Sequence, residues 1–312
     1  MVNKEKNFAS AVIYVHNAQS RLEEFLKMII TTMEANFEHS EIICVNDFSE
    51  DNSLELIKKA SESAVSTTVS VVNMSHFHGL ELAMNAGIDL AIGDFVFEFD
   101  NTYCDFDASV IMQIYRHALE GYDIVSASAD RKEKLTSRIF YHFFARYTQL
   151  SYRMSTESFR VLSRRALNRI ASMNNMIPYR KAVYTNCGLK MDNIRYKVVK
   201  SVLPSTDRKE KDFRVRLAVD SMLLFTEVGY RFAGFMTAFM MAMSAFMIVF
   251  SIVVYATANP VEGWTTTILF LSVAFLGLFG ILTIIIKYLN LLVDLVFKKK
   301  HYNFQSIEKL TK

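Results

Sequence analysis

The chain has 312 residues, of which 51% are hydrophobic, and a formal charge of +3. That length suits one large domain or two small ones. The weak positive charge, with no basic run interleaved with aromatics before the C-terminal end, argues against a nucleic-acid partner. The N-terminus opens polar, without a signal-peptide pattern. Cys44, Cys104 and Cys187 are scattered without metal-ligand spacing and fit packing residues in a reducing compartment.

Short apolar runs predict strands at 10–15, 41–46, 67–74, 94–100 and 123–129. Between them, helical periodicity predicts helices at 20–37, 51–62, 79–92 and 107–121, several opened by Ser or Asp caps. Such alternation builds a mostly parallel sheet with helices on both faces, and ligands bind beyond the carboxyl ends of its strands. The polar residues there are Asn17, then Asn46 to Ser49, then Ser75 to Gly79, then Asp100, Asn101 and Thr102. Neither a dinucleotide glycine fingerprint nor a P-loop follows the first strand. A nucleotide would therefore be held by acidic and amide groups.

The helical stretch 135–149 carries Arg138, His142 and Arg146 on one stripe and Phe140, Phe143, Phe144 and Tyr147 on a broad apolar face. It suits a helix in the lipid headgroup layer, and packing on the sheet would explain the aromatics equally well. Residues 233–258 and 264–286 are free of charge over 26 and 23 positions, each above the ~20 needed to cross a bilayer core. With five residues between them they predict a transmembrane hairpin. Arg231, Lys287, Lys298, Lys299 and Lys300 flank its open side while the connecting loop carries only Glu262, so the positive-inside rule puts the bulk of the chain, both termini included, in the cytoplasm.

In shared order and spacing, several segments resemble the membrane-anchored family 2 glycosyltransferases that move a sugar from a nucleotide to polyprenyl phosphate. They are Tyr14-Val15-His16-Asn17, Asn46-Asp47-Phe48-Ser49, the Gly79, Ala83, Asn85, Gly87, Ala91, Gly93 run, Leu135 to Tyr141, Ser158-Phe159-Arg160-Val161 and the stretch from Tyr288. The resemblance implies a GT-A-type α/β fold, a UDP- or GDP-sugar donor, a polyprenyl phosphate acceptor, an inverting transfer and self-association. It implies donor contacts at Val15, Asn17, Asn46, Asp47, Ser49, His76, Gly79, Asp100, Asn101 and Thr102. It further implies acceptor-phosphate contacts at Arg138, Arg160, Arg208 and Lys209, catalytic roles for Asp100, Glu157 and Arg160, and Mg²⁺ or Mn²⁺ on Asp100.

The pattern departs where the chemistry lies. Thr102 stands in place of the second metal-motif acid, which lowers the expected metal affinity. Cys104 replaces a Gln, Asn46 an acid and Phe48 a glycine. His76 and His78 read either as a metal-binding pair or as two solvated imidazoles. Arg160 is either an acceptor contact or half of a surface ion pair, and Glu157 a base for a hydroxyl acceptor or a surface acid. Two functions fit: an active transferase, or an impaired, membrane-bound relative that serves as a binding or assembly subunit. The expected division is a donor-binding core at 1–134, an acceptor side at 135–230, two membrane helices at 231–290 and a basic tail at 291–312.

Overall fold

In a computed structural model of the chain, the described residues are 4–131, 157–173, 180–199 and 304–309, with isolated helical positions between 235 and 292. The strands are β1 (Ala9–Val15), β2 (Ser40–Asn46), β3 (Thr67–Met74), β4 (Phe95–Phe99), β5 (Ile124–Ala129), β6 (Phe159–Ser163), β7 (Met191–Tyr196) and β8 (Phe304–Lys309). The helices are α1 (Leu22–Asn36), α2 (Ser53–Ser61), α3 (Leu80–Leu90), α4 (Ser109–Leu119), α5 (Arg164–Met173) and α6 (Arg180–Asn186). Every strand and helix predicted between 10 and 129 is present to within two residues.

One sheet runs β7-β5-β6-β4-β1-β2-β3-β8. Strands β3, β2, β1 and β4 are parallel neighbours, as their crossover helices require. Every residue of β1 is buried, which is why it reads as a continuous apolar run without alternation. On α1, Leu22, Phe25, Leu26, Ile29, Ile30 and Met33 recur at helical spacing and form its buried face. Phe37 closes that layer by meeting Tyr115 of α4 edge-on at 5.0 Å.

The predicted caps differ in detail. None of the N-cap residues of α1 to α4 makes a side-chain capping bond. Asp51 and Asp107 instead accept from the N–H two residues on, those of Ser53 and Ser109.

Three strand placements fall outside what the apolar runs predicted. β6 is antiparallel to both neighbours and inserts between β4 and β5. β8, in the stretch expected as a basic tail, pairs antiparallel with β3. The edge strand β7 joins β5 in parallel, and its half-exposed residues lack the apolar run that marked the others.

Helix α3 lies close on the sheet at Gly87, where an added Cβ would collide with Val12 Cγ1 and sit 2.6 Å from Val45 Cγ2. Gly87→Ala is expected to cost about 1–3 kcal/mol through overpacking. The thermal unfolding midpoint reads this directly, and an unchanged midpoint would mean that α3 stands further from β1 and β2.

The chain divides into two compact units, Met1–Ala145 with Gln149–Leu217 and Lys299–Lys312, and Arg146–Thr148 with Ala218–Lys298. The sheet belongs to the first. Among the described residues no helix is long and apolar enough to cross a membrane. The apolar runs 233–258 and 264–286 lie largely outside those residues, as do Arg138, the helical stretch 135–149, Arg208 and Lys209.

Candidate active site

The carboxyl ends of β3, β2, β1 and β4 bring the strand-end residues to one sheet edge. Two of them have left-handed backbone, Asn17 with φ 45° and Phe48 with φ 53°. Asn tolerates that region, whereas for a ring-bearing residue it is an outlier. Phe48 keeps a glycine-like conformation while its side chain stays 47% exposed at the edge.

Behind this rim the loops are laced together. The Asn17 N–H donates to Ser49 Oγ at 3.2 Å, and the Glu50 N–H to Asn17 Oδ1 at 2.9 Å. The Asp47 N–H donates to the Val15 carbonyl at 2.8 Å. Buried Asn46 donates to Asn73 Oδ1 and accepts from the Ser49 N–H. Asn46, predicted as a donor contact, thus spends its amide on the neighbouring strand and loop.

Asp47 is fully buried. Its Oδ1 accepts from the His78 N–H at 2.8 Å, and its Oδ2 accepts from the Gly79 N–H at 2.8 Å and the Tyr14 hydroxyl at 3.1 Å. Burial pushes its pKa up against the pull of these donors. It pins the turn at Gly79, where φ is 82°, to the end of β2.

Of the two imidazoles expected to be solvated, His76 is exposed and His78 is not. Their rings stack at 3.9 Å, and His78 is buried with Nδ1 2.6 Å from the His76 carbonyl. Burial lowers the pKa of His78, so it is the neutral form that packs there.

At the end of β4 lies a buried ion network. Alternation along Phe95–Phe99 puts Glu98 and Asp100 on one face and the phenylalanines on the other. Because β6 is antiparallel, Arg160 stands directly opposite Glu98. Arg160 donates to Glu98 at 2.8 Å, Asp100 Oδ2 at 2.6 Å and Glu157 at 3.1 Å. From α6, Arg180 donates to Glu81 at 2.9 Å, Glu98 at 2.7 Å and Asp100 Oδ1 at 2.7 Å. Tyr184 gives its hydroxyl proton to Glu98 at 2.6 Å.

Both guanidinium groups are 1% exposed. Desolvation works against the charged form of Asp100, but Arg160, Arg180 and Lys181 outweigh it and hold its carboxyl well below the usual range. Desolvation likewise opposes the two arginine charges, yet the carboxylates raise both pKa values. The network thus brings together all three predicted catalytic residues, Asp100, Glu157 and Arg160. Neither solvent-side alternative survives, because Arg160 is no surface pair and Glu157 no surface acid. Beside them Glu157, Arg160, Lys181 and Tyr184 line a cavity of about 10 Å³, room for no more than one water and far too little for a sugar. Glu81, Glu98, Arg180 and Tyr184 were not predicted. Glu98 was the available signal, an acid on the same face as Asp100 in a strand otherwise built of Phe and Val.

The expected divalent ion fits these residues poorly. Both Asp100 oxygens are taken by guanidinium groups, and the Thr102 hydroxyl accepts from Arg21 Nε at 2.9 Å. Among the described residues no group of three or more His, Cys, Asp or Glu side chains is arranged to hold a metal. No disulfide joins the three cysteines; Cys44 and Cys187 are buried, and burial pushes the Cys44 thiol up to about 12, as befits a packing residue.

A mostly parallel sheet with polar groups gathered beyond the ends of β1 to β4 is an α/β arrangement of the kind whose ligands bind at that edge. Residues 10–175 match the family model Glycosyl transferase family 2, and the chain belongs to that family and is a glycosyltransferase. It is 23% identical over 295 residues to the uncharacterized glycosyltransferase YkcC of Bacillus subtilis (strain 168), covering 91% of this chain and 89% of that protein. Over 122 residues it is 32% identical to the undecaprenyl-phosphate 4-deoxy-4-formamido-L-arabinose transferase of Edwardsiella ictaluri (strain 93-146), covering 39% of this chain and 37% of that protein. Among solved structures, the glucosyl-3-phosphoglycerate synthase of M. tuberculosis has a similar fold, with a TM-score of 0.50 at 13% identity over 71% of this chain and 81% of that one.

Proposed function

We propose that the chain moves a sugar from UDP- or GDP-sugar to a polyprenyl phosphate at a membrane surface. One observation carries the donor half: Asn17, Ser49, Gly79, Asn101 and Thr102 meet at a single edge of the sheet, the edge where α/β folds take nucleotides. In the reaction a phosphate oxygen of the acceptor attacks the anomeric carbon, and the bond from that carbon to the donor diphosphate breaks. The nucleoside diphosphate leaves and the configuration inverts. A phosphate monoester is already anionic, so no residue has to remove a proton. This agrees with the pairing of both Asp100 oxygens and of Glu157 Oε2 with cations, which favours an acceptor that needs no base.

The acceptor half draws support from the stretch shared with the undecaprenyl-phosphate transferase. It also draws on Leu278, Leu282, Ile285 and Leu292, each helical and exposed, as a lipid-contacting surface requires. In this reading Arg138, Arg208 and Lys209 meet the acceptor phosphate. The 233–258 and 264–286 hairpin anchors a chain with both termini in the cytoplasm, and copies of it self-associate in the bilayer. Membranes from an overexpressing strain, given a panel of labelled nucleotide sugars, are expected to accumulate label in a lipid-extractable product with one donor. Label that stays water-soluble with every donor would sink the lipid-acceptor reading.

A further inference from the structure

We propose that Arg21 supplies the positive charge that meets the donor diphosphate, in the place a divalent cation would occupy. The inference rests on the nucleotide-sugar reading above and adds a residue to it. A departing diphosphate gains negative charge, and the site must meet that charge with a cation.

The buried arginines cannot do so. Arg160 and Arg180 are each 1% exposed, with their guanidinium donors committed to Glu81, Glu98, Asp100 and Glu157. Arg21 differs. It precedes α1 at the end of the β1 loop and is half-buried, reaching the end of β4, where its Nε donates to Thr102 Oγ1 at 2.9 Å. The guanidinium lies over the Tyr103 ring at 4.7 Å, and the turn beneath is fixed by the Tyr103 N–H donating to Asn101 Oδ1 at 3.0 Å. One of the five guanidinium donors is therefore used, and its plane is set by a bond and a ring. Among the described residues the terminal nitrogens have no partner, and a fork held in that way suits bidentate contact with phosphate oxygens.

Thr102 acquires a meaning on these terms. An acid there would pair with Arg21 and cancel its charge, whereas a hydroxyl orients Arg21 and leaves its charge available. The exchange of acid for Thr and the presence of Arg21 are two halves of one arrangement.

Calorimetry on the detergent-purified full chain, with UDP, GDP and the matching nucleosides in EDTA and then in Mn²⁺, tests this. One diphosphate is expected to bind equally well in both conditions. Arg21→Gln should weaken that diphosphate about tenfold or more, the loss of one charge-assisted contact, while nucleoside affinity holds. Arg21→Lys should recover part of the loss. Thr102→Asp should weaken diphosphate binding without creating a need for Mn²⁺. Diphosphate binding that requires Mn²⁺, or that is unchanged in Arg21→Gln, overturns the role of Arg21 and leaves the donor reading intact. No binding of either diphosphate in any condition overturns the donor reading itself, and the role of Arg21 with it.

Discussion

Replacing Arg180 by Met is expected to destabilise the sheet-bearing unit by about 3–5 kcal/mol, because it leaves buried carboxylates without a counter-ion. Arg180 is shared among Glu81, Glu98 and Asp100, and Glu98 has no exposure to recover hydration. The penalty is that of stranding charge; it does not measure what the network adds over an apolar core of equal volume. Lys181→Met serves as the comparison, since its nitrogen makes one long contact, 3.9 Å from Glu157, and the loss there should be clearly smaller. Chemical unfolding of the purified full chain separates the two. Equal effects would mean that Arg180 is not the keystone of the network.

The same network fixes an acid limit. Asp100 is held below the usual carboxylate range in the folded protein, chiefly by Arg160 and Arg180 working against desolvation. A depressed folded pKa contributes stability above the ordinary value near pH 4, and that contribution drains away as pH falls toward the folded value. Acid unfolding should therefore begin below about pH 4, and at higher pH in Arg180→Met.

Asp47→Asn is the second large effect. The carboxylate accepts from two backbone N–H groups and from the Tyr14 hydroxyl. An amide keeps one accepting oxygen and turns an NH₂ toward a donor, so at least one buried donor goes unpaired, at a cost of about 1–3 kcal/mol. The turn at His78 and Gly79 should loosen and donor affinity fall with it. Unfolding and donor calorimetry on the same sample read both effects. Full stability with lost nucleotide binding would contradict this, putting Asp47 in direct contact with the nucleoside, the role its place in the sequence suggested.

The split between what was and was not legible has physical causes. Strands β1 to β5 were visible because each is a compact apolar run, and their ends named the sheet edge where Asn17, Ser49, Gly79 and Thr102 meet. The pairing of Glu98 with Arg160 was not visible, since it depends on an antiparallel strand 62 residues away entering between β4 and β5. Local periodicity carries no information about such an insertion. For the same reason the sequence left Arg160 and Glu157 between a site role and a surface one, although their burial is set by neighbours from β4 and α6. The residue at 102 was noticed as a loss, and only the adjacency of β1 and β4, which brings Arg21 to it, turns that loss into a paired change.

The proposed transfer is to an acceptor that brings its own anionic oxygen to a site whose carboxylates are ion-paired. The direct measurement compares short polyprenyl phosphate with the corresponding polyprenol, using purified protein and the donor that the panel identifies. Transfer to the phosphate with none to the alcohol is the predicted result. Comparable transfer to the alcohol would contradict it, because Glu157 or Asp100 would then have to leave its ion pair and act as a base. Transfer to neither, with nucleotide still bound, would make the chain a binding or assembly subunit instead.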